Sequence, residues 1–278
     1  MHTNQVKAFV QRLIVVLTLI VVLGPFVWCA LISLQGSAEV NSSYALILPR
    51  QLHLDNFASV LRNNGVLTGL KNSLIISLTS VAINLVVSVP AGFALARIKM
   101  PLTNGFLKVM MMFVFVPILL LAAPVRDMLR SWGLSGSYWI VALPMSALVL
   151  TTMTFWQFYS RFPEEIDDCS VLMGMTPIHG FFLIYLPVSG QMMLYAAIMQ
   201  FVTTWNCSFM PMFMYWGPKG LMTAQASLLQ FALNPSRIFL GMVAVIVVCL
   251  PCWILYIVRY KCCRNVTDTV ADPFRNSN

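Results

Sequence analysis

Residues 163–187 read PEEIDDCSVLMGMTPIHGFFLIYLP. The first part of this stretch is acidic, because four of the nine Asp and Glu residues in the 278-residue chain lie between positions 164 and 168. Pro163 suits the first position of a helix. Each acid just after the start of a helix stabilises that helix by about 0.3–1 kcal/mol. The pattern therefore predicts a short helix with an acidic first turn, in which Glu164, Glu165 and Asp168 share one face.

The second part of the stretch predicts a turn and another helix. Gly174 can close the first helix and let another backbone come close. Thr176 and Pro177 interrupt the chain, and Pro177 can begin a second helix that ends near Leu186 and Pro187. Apolar residues would form an exposed ridge: Ile166, Val171, Leu172, Met173, Phe181, Phe182 and Ile184. Such a helix-turn-helix outside the membrane plane suits docking to a partner, and a solvated loop is the alternative.

Long apolar stretches flank the acidic segment on both sides. About 20 mostly apolar residues are needed to cross roughly 30 Å of hydrocarbon. Six stretches meet this requirement, near residues 13–34, 73–96, 106–125, 138–160, 188–210 and 237–258. The predicted fold is therefore an all-α polytopic membrane protein with six transmembrane helices. Pro90, Pro117 and Pro144 are expected to kink their spans.

Composition excludes most other classes of protein. The chain is 59% hydrophobic and only 9% charged, whereas ordinary soluble domains carry roughly 25% charged residues. Lys and Arg number 17 against 9 acids, but they are spread out and form no basic face with interleaved aromatic residues. Nucleic acid is therefore not an expected partner. The seven cysteines, an odd number, indicate no disulfide framework.

Basic residues flanking the spans predict the orientation in the membrane. With the N-terminus inside, ten of them face the cytoplasm: Lys7, Arg12, Arg97, Lys99, Lys108, Arg161, Arg259, Lys261, Arg264 and Arg275. The other seven face outward, and six spans put both termini in the cytoplasm. The chain then divides into an N-terminal tail, first helix and outer loop at 1–72, a five-helix core at 73–260 that includes the loop 161–187, and a cytoplasmic tail at 261–278.

The spans lack the groups that proton-driven or metal-dependent chemistry requires. No acid or histidine lies in the middle of a span, whereas proton-coupled carriers usually need such residues as relays. Neither a catalytic residue nor a metal site is expected, and no phosphate-binding loop is present. If the protein moves a solute uphill, the energy must therefore come from another subunit. Cys249 and Cys252 are expected to pack in a helix, and Cys262 and Cys263 could be acylated.

The acidic segment also resembles a known motif. Residues 164–175, followed by 184–187, look like the "E-A-A, three residues, G, about nine residues, I-x-L-P" loop of ABC importer permeases. Asp168 stands where this motif has Glu, and Cys169 and Ser170 replace its two alanines.

Four further matches extend the resemblance over most of the chain, about 12–275. They are Asn72-Ser73-Leu74 with Ala94-Leu95-Ala96-Arg97, Gly133-Leu134 with Tyr138 and Leu143-Pro144, Trp205-Asn206 with Phe209 and Pro211, and Arg259-Tyr260. The sequence is most similar to six-span sugar-importer permeases of the maltose type.

The resemblance implies an importer subunit in a bacterial or archaeal plasma membrane. Its partners would be a second permease subunit, identical or different, two copies of a cytoplasmic ABC ATPase, and an outer solute-binding protein received by the loop near 36–71. ATP and Mg²⁺ would be used by the ATPase, and this chain would bind no cofactor of its own.

The resemblance also implies which residues couple the chain to the ATPase: Glu164, Glu165, Asp168, Cys169, Ser170, Gly174, Met175, Phe181, Leu186 and Pro187. Asp168 would pair with a basic residue or helix terminus of the ATPase. Met173, Met175 and Phe181 would fill its cleft.

Candidates for the solute pathway are polar or aromatic residues at mid-membrane: Asn84, Ser88, Tyr195, Thr204, Trp205 and Asn206. The alternative for each is helix–helix packing. The implied solute is a sugar or oligosaccharide, with another small polar solute such as glycerol phosphate as the alternative. A stand-alone channel or carrier and a membrane-embedded enzyme or assembly factor remain the competing functions.

Overall fold

The computed structural model describes residues 2–40, 48–98, 101, 103–146, 148–214, 221–232 and 237–262, and every regular element within these ranges is a helix. In chain order the elements are α1 (His2–Ser33), α2 (Ser37–Val40), α3 (Asp55–Leu61), α4 (Asn64–Arg97), α5 (Thr103–Val114), α6 (Ile118–Ser131), α7 (Trp139–Met145), α8 (Leu148–Tyr159), α9 (Glu165–Leu172), α10 (Pro177–Gly180), a π-helix (Phe181–Tyr185), α11 (Leu186–Val188), α12 (Gly190–Asn206), α13 (Phe209–Met214), α14 (Ala224–Ala232) and α15 (Ile238–Cys262). Lys99 and the tail beyond Cys262, with the predicted acylation of Cys263, lie outside the described residues.

In the part of the chain that the structure describes, three helices contain apolar segments long enough to cross a membrane. These segments are Phe9–Ser33 in α1, Gly65–Arg97 in α4 and Ile238–Val258 in α15. They coincide with the first, second and sixth predicted spans. Helix α12, with 17 residues, lies at the position of the predicted fifth span.

The third and fourth predicted spans are each a bent pair of helices. Helices α5 and α6 meet at 101°, and α7 and α8 meet at 42°. Pro117 directly precedes α6 with an extended backbone, so it bends the chain as predicted, and more sharply than a kink. The acidic helix-turn-helix is a third pair, bent by 119°, and by length and composition the described residues hold between three and six spans.

The helices group into two compact units. One comprises Met1–Thr68 with Ala226–Leu250, and the other comprises Gly69–Gln225 with Pro251–Asn278. The second unit contains two clusters of buried apolar side chains. One lies around Phe93 and Tyr159, next to the acidic segment, and the other lies around Ile140 and Met210.

The aromatic cluster joins the end of α4 to the acidic segment. The ring of Phe93 lies 4.9 Å from that of Phe181 and 5.0 Å from that of Tyr185, measured between centroids. Beside it, a Cβ added to Gly92 would lie 2.5 Å from the Cβ of Phe155. Only glycine therefore lets α4 pass so close to α8.

Candidate coupling site

The acidic segment folds as the predicted helix-turn-helix (165–188). Helix α9 ends at Leu172, Met173 is its C-cap, and the next residue is Gly174, whose φ of +72° is in the left-handed region that favours glycine. The Met175 N–H donates to the Ser170 carbonyl and the Gly174 N–H donates to the Val171 carbonyl, both at 2.9 Å. This pair of bonds is the Schellman arrangement that ends many helices. The predicted role of Gly174 in ending the helix is confirmed.

The second arm begins at Pro177, as predicted. The Thr176 side chain caps α10 by accepting a hydrogen bond from the His179 backbone N–H at 3.4 Å, and Pro177 occupies the first turn, where its missing N–H costs nothing. The arm continues through the π-helix into α11 and leads into α12. At the other end, α9 starts at Glu165 and Pro163 precedes it, so Pro163 is not the first helical residue.

The helix-turn-helix exposes both acidic and apolar side chains. Glu164, Glu165 and Asp168 are exposed, and so is Cys169. The exposed large apolar residues are Val171, Leu172, Met173, Ile178, Phe182, Leu183 and Val188, and Leu172 is 87% exposed. An exposed apolar patch bordered by acids is typical of a surface that a partner covers.

Phe181 and Ser170 differ from this pattern. Phe181 is only 7% exposed and belongs to the aromatic cluster, and Ser170 is buried while its hydroxyl donates to the Ile166 carbonyl at 2.7 Å. The expectation that Phe181 belongs to an exposed ridge and fills a partner's cleft does not match this burial. Phe181 and Tyr185, four residues apart, lie on the face of the π-helix that packs against Phe93.

An ion pair that the sequence did not reveal fixes α9 to the end of α4. The Arg97 guanidinium lies 2.5 Å from one carboxylate oxygen of Asp167 and donates to the carbonyls of Phe162 and Pro163, both at 3.0 Å. The Tyr185 hydroxyl donates to the other Asp167 oxygen at 2.6 Å. These groups are called the clasp below.

The surroundings of Tyr185 raise the pKa of its phenol. Burial, followed by the hydrogen bond to the Asp167 carboxylate, raises the pKa of Tyr185 far above its usual range. The phenol therefore stays protonated and remains a donor. Arg97 lies 5.6 Å above the Tyr185 ring centroid, a cation–π distance.

A cavity of about 700 Å³ adjoins the clasp. It lies between the end of α4 and the helix-turn-helix. Its lining mixes charged, polar and apolar groups, among them Arg97, Thr103, Asp167, Asp168, Met175 and Tyr185.

Two of the solute-pathway candidates, Asn84 and Thr204, take part in a buried hydrogen-bond network, and a third, Ser88, lies beside it. The Asn84 amide of α4 donates to the Ser146 carbonyl at 2.5 Å and to the Thr151 hydroxyl at 2.9 Å. The Gln200 amide donates to Thr204 at 2.9 Å and to the Met145 carbonyl at 2.6 Å. Ser88 donates to the Leu148 carbonyl at 3.2 Å.

We call the residues Asn84, Ser146, Thr151, Gln200 and Thr204 the polar seam. It joins α4 and α12 to the carbonyl groups freed where α7 bends into α8. Sequence reasoning missed Gln200, which lies one helical turn before Thr204 and faces the same neighbours.

The other three candidates lie apart from the seam. Trp205 is buried and stacks on Phe201 with ring centroids 5.5 Å apart. Tyr195 is partly buried against the aromatic cluster. Asn206 is exposed and accepts a hydrogen bond from Gln225 at 3.3 Å. The six candidates therefore do not gather around one site.

The sequence and the fold have known relatives, although no protein-family model matches the chain. It is 26% identical over 217 residues to a probable ABC transporter permease protein of Bacillus subtilis, a match that covers 77% of this chain and 71% of the relative. It is 29% identical over 185 residues to the arabinooligosaccharides transport system permease protein of Halalkalibacterium halodurans, a match that covers 66% of each.

A solved structure shares the fold over almost the whole chain. It is a chain of a bacterial ABC transporter involved in the import of the acidic polysaccharide alginate, with a TM-score of 0.80 and 15% sequence identity. The likeness covers 94% of this chain and 98% of that one. The chain is a homologue of the permease subunits of ABC transporters and has their fold.

Proposed function

We propose that this chain is the permease subunit of an ATP-driven importer and forms half of the pathway for a sugar or oligosaccharide. The observation that carries the proposal is the helix-turn-helix, which leaves an apolar ridge and three acids exposed between α8 and α12. In water, burial of such a ridge against a partner contributes about 25 cal/mol per Å². The partner we propose for this surface is a cytoplasmic ABC ATPase.

The proposed topology has six spans and cytoplasmic termini in a bacterial or archaeal plasma membrane. Its spans are α1, α4, the pair α5–α6, the pair α7–α8, α12 and α15. The basic residues described above support this orientation, which places the helix-turn-helix in the cytoplasm where an ATPase can reach it.

The proposed assembly pairs this chain with a second permease subunit. Two ATPase copies bind ATP and Mg²⁺, and an outer solute-binding protein contacts the loop near 36–71. ATP-driven closure of the ATPases would pull on the helix-turn-helix and reorient the spans.

Gly174→Asp tests the proposed ATPase contact. A Cβ at Gly174 would meet nothing within 4 Å in this chain, but the φ of +72° strains any side chain placed there, so the effect on a docked partner is judged against a control glycine that carries the same strain. We expect Gly174→Asp to lose co-purification of the ATPase expressed with the chain. Gly133→Asp is the matched control, because Gly133 has a similar φ of +76° and also faces open space.

Equal retention of the ATPase by both variants would contradict the docking surface. Uptake by the chain alone in vesicles without ATP would instead favour a stand-alone carrier.

The proposed solute class has its own test. The relative from Halalkalibacterium is named for arabinooligosaccharides and the structural neighbour for alginate, so both handle carbohydrates. We expect sugars or oligosaccharides to raise the melting temperature of the solute-binding protein encoded with this chain. A response to glycerol phosphate alone would select the alternative solute, and a response only to amino acids or metal ions would reject the sugar assignment.

A further inference from the structure

Arg97 makes contacts with three separate segments at once. It pairs with Asp167 of α9, donates to two carbonyls of the loop that leaves α8, and lies over the ring of Tyr185. The Arg97 side chain is only 7% exposed, and that of its partner Asp167 is 39% exposed. An exposed ion pair would contribute little, but a buried guanidinium with several charge-assisted hydrogen bonds fixes the geometry of everything it contacts.

Asp167 differs from the other acids of the same helix. Glu164, Glu165 and Asp168 are exposed, whereas each carboxylate oxygen of Asp167 has a partner within the chain, Arg97 for one and Tyr185 for the other. The acids of this segment therefore have two roles. Three of them face outward, and Asp167 holds the helix in place.

Helix α9 needs such an attachment. It has eight residues, and an isolated helix of this length is not stable in water. The clasp ties it directly to the last residue of α4, a 34-residue helix that contains a candidate span.

We propose that Arg97 and Asp167 are positioning residues that lock α9 to α4, so that a displacement of the helix-turn-helix moves α4 with it. This inference rests on the proposed function, because the displacement is the one an ATPase would impose. Tyr185 supports the lock by holding the second Asp167 oxygen.

The test measures a distance in the assembled transporter. Spin labels are placed at exposed Cys169 on α9 and at Val86→Cys on α4, in a chain whose other cysteines are replaced. Val86 is exposed and lies about 16 Å along α4 from Arg97. The distance distribution is recorded without nucleotide and after trapping with MgATP and vanadate.

The label pair of the otherwise unaltered chain is expected to give a narrow distribution that keeps the same mean in both states, because α9 and α4 move together. In Arg97→Gln and in Asp167→Asn the distribution is expected to broaden about twofold, with a shifted mean after trapping. Arg97→Lys keeps the charge but loses the forked donor geometry, so we expect an intermediate width.

Asp127→Asn is the control, since Asp127 lies on α6 and, within the described part of the chain, its carboxylate forms an ion pair only with the neighbouring Arg126, at 3.2 Å. Distributions as narrow in Arg97→Gln and Asp167→Asn as in the parent would overturn the positioning role. If Arg97→Gln does not assemble, the nearly isosteric Asp167→Asn decides the question. Failure of the unlabelled chain, with its own cysteines in place, to retain any ATPase would reject the proposed function instead.

Discussion

The polar seam and the helix-turn-helix are two polar regions of the same compact unit, and they are built in opposite ways. In the seam, Asn84 and Gln200 are buried and their amides donate to neighbouring groups in the chain. In the helix-turn-helix, acids and apolar side chains such as Leu172 are exposed. Polar groups bonded to one another inside the protein hold it together, whereas an exposed apolar ridge is left for a partner.

This contrast makes the two regions separable by mutation. Substitutions in the seam should change the stability of the permease, and substitutions on the ridge should change only its association.

The largest effect on stability is expected from Asn84→Leu. The substitution removes the donors to the buried Ser146 carbonyl and to the half-buried Thr151 hydroxyl, together with the Asn84 Oδ1, which has no hydrogen-bond partner among the described residues. We expect a loss of about 1–3 kcal/mol in the free energy of unfolding, measured by thermal unfolding in detergent micelles. Asn104→Leu, at an exposed position, is the control and should stay within about 0.5 kcal/mol.

Unchanged stability in Asn84→Leu would mean that the seam does not support the fold. A loss of solute uptake without a loss of stability would instead indicate that Asn84 acts in the solute pathway.

The sequence predicted the helix-turn-helix from local signals. Gly174 and Pro177 act within a few residues of their own position. Gly174 adopts a left-handed φ, and Pro177 has a fixed φ and no N–H. The same is true of Pro117, which bends the chain between α5 and α6.

The burial of Phe181 and the clasp could not be predicted in this way. Residues 181–184 are all apolar, so the pattern does not indicate which of them faces α4. Arg97 and Asp167 are 70 positions apart, and tertiary packing brings them together, through the close approach of α4 to α8 at Gly92 and the contacts of Phe93 with the acidic segment. The sequence held one signal of the ion pair: Arg97 ends an apolar span in a chain with few acids.

Leu172→Ser should separate association from stability. Because Leu172 is 87% exposed, the substitution should change the unfolding free energy by less than about 0.5 kcal/mol. Loss of an apolar contact in a docked interface should weaken ATPase binding roughly tenfold, or about 1.4 kcal/mol. Binding is measured by titrating the purified ATPase onto the permease in nanodiscs.

Leu52→Ser is the matched control for this titration, since Leu52 is also exposed, at 68%, but lies in the predicted outer loop. Equal weakening by both substitutions would show that the ridge is not a specific contact.

The smallest expected effect compares two buried serines of α4. The Ser88 hydroxyl donates to the Leu148 carbonyl at 3.2 Å, whereas the Ser77 hydroxyl has no hydrogen-bond partner among the described residues. Ser88→Ala should cost about 0.6 kcal/mol, the average for such bonds between membrane helices. Ser77→Ala removes an unpaired buried hydroxyl and should be neutral or stabilising. The same substitution at two positions of one helix thus tests whether hydrogen bonds between the helices, rather than the mere presence of a polar side chain, stabilise this region. A larger loss of stability in Ser77→Ala than in Ser88→Ala would contradict that explanation.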